Sequence, residues 1–171
     1  MESTVAQLIN GIPDPSARNS LRKLINAIAD RKSCIMITTA ALVIKAGASA
    51  LVKTGAAFYA VVEGKLVTKA AATDMAALAG TVLNATFNVF VYYMDSAGTL
   101  STQMGTAGAT LGQVTFPPTP ERRVIIGFTI INPTGAGSFV GGTTAIDDAG
   151  VVPNAVHLSI TMSFDPTILL G

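Results

Sequence analysis

One histidine, one cysteine and a pair of adjacent aspartates are the residues of this 171-residue chain whose types could do chemistry. A Ser-His-Asp or Cys-His mechanism needs a base within hydrogen-bond reach of its nucleophile, so it would have to use His157, the only histidine. His157 alternates with apolar residues in Val156-His-Leu-Ser-Ile-Thr, which predicts a strand with Val156, Leu158, Ile160, Met162 and Phe164 on a buried face. His157, Ser159, Thr161, Ser163 and Asp165 then share the polar face, with His157 exposed or hydrogen-bonded to a neighbouring strand. Cys34, in Cys34-Ile-Met-Ile-Thr, has no histidine beside it and reads as a small buried hydrophobe. One Cys and one His cannot supply the ligands of a zinc site.

The carboxylates point the same way. Asp147-Asp148 precedes Ala149-Gly150 and reads as a solvated turn; calcium could join them to Asp165 or to loop carbonyls, but the Asp-x-Asp-x-Asp-Gly spacing of a dedicated loop is absent. Glu63 and Asp95 sit in tight hairpin turns, where nothing raises a carboxyl pKa for acid/base work. The glycines of Gly135-Ala-Gly-Ser-Phe-Val-Gly-Gly142 lie between two strands and match no phosphate-binding pattern. The expectation is a protein that is not an enzyme and holds no cofactor or metal.

The elements around these residues are mostly strands. Ile35-Met-Ile-Thr-Thr and Leu42-Val-Ile-Lys read as strands, and Phe58 to Lys69 as a hairpin turning at Glu63-Gly64. Phe87 to Met94 and Thr99 to Gln103 form a second hairpin across Asp95-Ser-Ala-Gly98. Its first strand is apolar on both faces, so it belongs in the middle of something, under the helix or against another subunit. Ala70 to Gly80 fits either a helical turn or a loop. A proline corner at Pro117-Pro-Thr-Pro leads into the strand Val124–Ile131, then a Pro/Gly loop, then a short strand at Phe139. These features predict a mainly β fold, an antiparallel, jelly-roll-like β-sandwich over residues 33–171, after a helical arm over residues 1–32.

In that arm Pro13-Asp14-Pro15 breaks a short apolar opening, and Asp14 or Ser16 caps a helix over residues 16–31. Leu21, Leu24, Ile25 and Ile28 fall on one stripe of it, with Arg18, Arg22 and Lys23 beside them. These seven are the candidate interface residues.

Composition gives the arm a role. Half of the residues are hydrophobic and only 12% are charged, about half the usual share, too little to coat a free monomer. No run approaches the ~18 apolar residues of a membrane span, and the start has no secretory layout. The apolar surface is therefore expected to be buried against other subunits. Residues 1–32 hold five basic side chains against three acids, while no Lys or Arg follows Arg123. With a net charge of +1 and no interleaved aromatics, the arm suits an acidic protein surface better than nucleic acid.

The phrases Tyr59-Ala-Val-Val-Glu-Gly-Lys-Leu, Asp95-Ser-Ala-Gly-Thr, Pro117-Pro-Thr-Pro-Glu-Arg-Arg-Val-Ile-Ile-Gly-Phe-Thr-Ile, Phe139-Val-Gly-Gly-Thr-Thr-Ala-Ile-Asp-Asp and Phe164-Asp-Pro carry a resemblance over residues 58–166. Together they resemble the capsid decoration (cement) and head-fibre proteins of tailed bacteriophages. The resemblance implies a β-sandwich protomer, a homotrimer, and the major capsid protein as partner, for a protein made in the host cytoplasm and carried on the exterior of the virion capsid. An N-terminal helix is not a uniform feature of that class, so it stands as capsid anchor, trimer stalk or both. The alternative is a head- or tail-fibre module that binds a receptor, such as a glycan.

Overall fold

The computed structural model describes residues 5–47 and 49–161. Within them the chain is mainly strands in antiparallel sheets, preceded by two helices. Helix α1 spans Val5–Asn10 and α2 spans Pro15–Ser33. Pro13 and Pro15 separate them, because neither can continue a helix from the preceding turn. Asp14, not Ser16, is the cap of α2: its carboxylate accepts the Ser16 N–H at 2.8 Å, and Pro15 takes the first turn, where its missing N–H costs nothing.

The strands follow in order: β1 Ile35–Met36, β2 Leu42–Ile44, β3 Val52–Thr54, β4 Phe58–Val62, β5 Lys65–Lys69, β6 Thr81–Val82, β7 Asn88–Asp95, β8 Leu100–Met104, β9 Arg123–Ile131, β10 Phe139–Val140 and β11 Val156–Ser159. They form a four-stranded sheet in the order β11-β9-β7-β8, a three-stranded sheet β1-β4-β5, and the pairs β2-β3 and β10-β6. Both expected hairpins are present. Glu63 and Gly64 each take a positive φ, +52° and +74°, the backbone a two-residue turn requires, so Val62 pairs with Lys65. Asp95 accepts the N–H groups of Ala97 and Thr99 and so closes the β7–β8 turn. Ala70 to Gly80 contains no helix; Lys53 bridges to Asp74, whose carboxylate meets Lys45 Nζ at 2.6 Å.

Strand β7 lies at the centre, as its two apolar faces require. Phe90, Tyr92 and Met94 enter the main core with Met36, Phe58, Val62, Ile126 and Phe139, and so join the three-stranded sheet to the four-stranded one. On the opposite face Val89, Val91 and Tyr93 form a second cluster with Ile125, covered by Val114, Phe116 and Phe128. The cover is thus the chain after β8 together with β9, not a helix. Phe116 packs edge-on to Phe128, ring centres 5.2 Å apart.

A bulge lies between the two central strands. Tyr92 pairs with Gly127 and Tyr93 with Ile125, which leaves Ile126 as the extra residue, buried in the main core.

Strand β11 reverses the expected orientation. Val156 and Leu158 are 45% and 41% exposed, while His157 and Ser159 are half-buried. The polar residues turn inward because partners wait there: Thr129 for His157, and the Leu42 N–H, which donates to Ser159 Oγ at 2.6 Å. The expected positions Met162, Ser163, Phe164 and Asp165 lie outside the described residues.

Candidate functional site

Nineteen residues give α2 a length of about 28 Å, and its stripe is only partly used by its own chain. Leu21 and Ile25 are half-buried, whereas Leu24 and Ile28 stand 56% and 48% exposed one turn apart. Helix α1 contacts α2 and buries Ile9, but leaves Val5 and Leu8 exposed. Arg22 and Lys23 are exposed and Arg18 is half-buried. Arg22 donates to Asn10 Oδ1 across the two helices. All seven expected residues therefore lie on one element, combining apolar surface with positive charge.

The far end of α2 is attached to the β region. Asp30 accepts the backbone N–H of Arg122 with both carboxylate oxygens, at 3.1 Å each. Arg122 reaches Glu63 at 3.2 Å, and Glu63 also accepts the Ser96 hydroxyl at 2.7 Å. An open cleft of about 910 Å³ runs beside these groups, lined by Lys23, Asp30, Glu63, Thr119 and Arg122 among others. Its charges are of both signs, Lys23 and Arg122 against Asp30, Glu63 and Glu121, so it presents no concentrated field of one sign to a ligand.

The residues singled out for chemistry sit in structural roles. His157 Nδ1 is 2.8 Å from Thr129 Oγ1, which is 2.9 Å from the Tyr92 hydroxyl, so the three side chains form a hydrogen-bonded chain across β11, β9 and β7. Burial lowers the His157 pKa and raises that of Tyr92, keeping both neutral near pH 7. Cys34 is buried; burial pushes its thiol up despite a backbone hydrogen bond from Glu63, away from the reactive thiolate. Burial pushes Asp95 up, but the Thr99 and Ala97 N–H groups and Arg123 outweigh it and hold its carboxyl below the usual range. Asp148 accepts the Gly150 N–H at 2.8 Å within its own turn. Among the described residues no third Asp, Glu, His or Cys joins Asp147 and Asp148, and Asp165 lies outside them.

Sequence reading missed one surface. Across the β1-β4-β5 sheet the register aligns Ile35, Val61 and Leu66 in one row and pairs Tyr59 with Thr68 in the next, where Ile37 N–H donates to Tyr59 O. Tyr59 is 47% and Leu66 67% exposed, and Ile35 and Ile37 are exposed too. The opposite parity, Met36, Phe58, Ala60 and Val62, fills the core. The available signal was that apolar residues occupy both parities of Phe58–Val62.

No helix among the described residues is long and apolar enough to cross a membrane. Comparison with protein-family models, curated proteins and solved structures finds no match to this chain.

Proposed function

We propose that this protein is a non-enzymatic structural component of a virus particle, a capsid decoration protein that self-associates as a trimer and binds the major capsid protein through its helical arm. The observation that carries the reading is the stripe of α2: Leu24 and Ile28 stand exposed with Arg22 and Lys23 beside them, on an element anchored at one end by Asp30. Apolar surface of this kind is stabilised by a partner, and the flanking cations select an acidic one. The protomer is read as a β-sandwich, supported by the single core that the three- and four-stranded sheets share.

The test is co-sedimentation of the purified protein with particles that lack it. Wild-type protein is expected to bind. Leu24→Asp combined with Ile28→Asp is expected to stay folded and remain in the supernatant. Undiminished binding by that variant removes the arm from the contact.

A further inference from the structure

We infer that Asn10-Gly11 is a covalent modification site, where the Asn10 side-chain amide converts to a carboxylate through a cyclic imide. It is the one Asn-Gly pair in the chain, it stands where α1 ends, and both residues are exposed. The reaction needs an unhindered backbone nitrogen after the asparagine, and Gly11 supplies it, having no Cβ to crowd the approach to Asn10 Cγ. The Gly11 nitrogen gives its proton to hydroxide and attacks Cγ. An N–Cγ bond forms, the Cγ–Nδ2 bond breaks, and ammonia leaves with a proton returned by water. Water then opens the ring at Cγ, giving aspartate, or at the Asn10 backbone carbonyl carbon, giving isoaspartate. Water and hydroxide are the only co-reactants, and nothing is oxidised or reduced.

Two contacts bear on the rate. The Arg22 guanidinium donates to Asn10 Oδ1, so it draws electron density from Cγ and faces the oxygen on which negative charge develops. Against this, the Gly11 N–H donates to Gln7 O at 3.1 Å and must first be released. Six residues are too few for α1 to hold its last turn by itself, so that bond opens as the helix end frays. Every other asparagine is followed by a residue that carries a Cβ. Asn19 and Asn26 also stand inside α2, and the N–H that follows Asn84 is held by Pro133 O at 2.7 Å. The product changes the arm. A carboxylate at position 10 keeps Arg22 as its partner in a charge-assisted bond, and the five basic side chains of residues 1–32 then face four acids instead of three.

The full chain, held in mildly alkaline buffer and followed by intact mass and tryptic mapping, tests this. The tryptic peptide ending at Arg18 holds Asn10 and no other asparagine. It is expected to gain about one mass unit ahead of every other peptide and to split into two products, aspartate and isoaspartate. Gly11→Ala is expected to slow the gain by about tenfold or more, because its Cβ crowds the attack. That Cβ meets only Leu8 O and Gln7 O, at 3.5 and 3.6 Å, so the turn itself tolerates the change. Arg22→Gln is expected to slow the gain severalfold. An Asn10 that stays an amide in the folded chain while the urea-unfolded chain converts overturns the inference. So does a gain at Asn19 or Asn84 before Asn10, or a Gly11→Ala chain that converts at the wild-type rate. An undiminished rate in Arg22→Gln overturns the part given to Arg22.

Discussion

Asp30, in the last turns of α2, holds the backbone N–H of Arg122 92 residues away, and Arg122 is itself in the left-handed region at φ +59°. A non-glycine residue adopts that conformation at some cost, and the two carboxylate oxygens help offset it. The exposed stripe is thereby held in a fixed direction relative to the sheets.

Asp30→Ala should lower stability by about 1 kcal/mol, since it removes hydrogen bonds from a charged acceptor that is only partly buried. Chemical denaturation gives the magnitude. Hydrogen exchange gives the location, with the Arg122 amide expected to lose protection ahead of the amides of β7.

Acid should weaken the fold through His157. Its folded pKa lies below the unfolded value of about 6.5, so in that window the unfolded chain binds the extra proton. Stability is fully present above pH ~6.5 and is lost as pH falls through the folded pKa. Calorimetric melting temperatures from pH 8 to pH 5 should fall along this course, and His157→Gln should flatten it. An unaltered dependence in His157→Gln would place the titrating group elsewhere.

Particle binding should depend mainly on the apolar stripe. Leu21 and Ile25 are already half-buried, so docking gains mostly the exposed halves of Leu24 and Ile28, about 2 to 3 kcal/mol. Leu24→Asp with Ile28→Asp should therefore weaken binding roughly 30- to 150-fold or abolish it. Arg18→Glu with Arg22→Glu reverses one half-buried and one exposed surface charge, each worth ~1 kcal/mol or less, and should act chiefly on the association rate and on salt sensitivity. Affinities measured at two salt concentrations separate the two effects.

Gly127→Ala should destabilise the protein by about 2 kcal/mol. An added Cβ would lie 2.4 Å from the Leu158 carbonyl oxygen and 2.7 Å from Leu42 Cδ1, pressing β9 away from β11. Urea denaturation measures the loss. A neutral result would mean that β11 yields without cost.

Local chemistry made much of this fold legible from sequence. Asp14 with Pro15 starts α2, Glu63-Gly64 and Asp95 to Gly98 close the two hairpins, and apolar residues on both parities mark β7 as central; each signal acts within a few residues. The arm's seven interface candidates came from the same kind of local periodicity, and the structure places them on one helix with two apolar members exposed.

Tertiary partners decided the rest. Strands β3 and β6 are two or three residues long and are defined only by pairing, β6 with β10 57 positions away at Val82 and Phe139. Alternation in β11 has two possible phases, and sequence chose the apolar one for the core. Thr129 and Tyr92, brought together on the central sheet, instead offer the inward His157 a hydrogen-bonded place, and Val156 and Leu158 are turned outward. The outer ladder of Ile35, Val61 and Leu66 likewise exists only once three strands align. A side chain's periodicity is local, but which face is buried depends on partners that the backbone brings together from distant sequence.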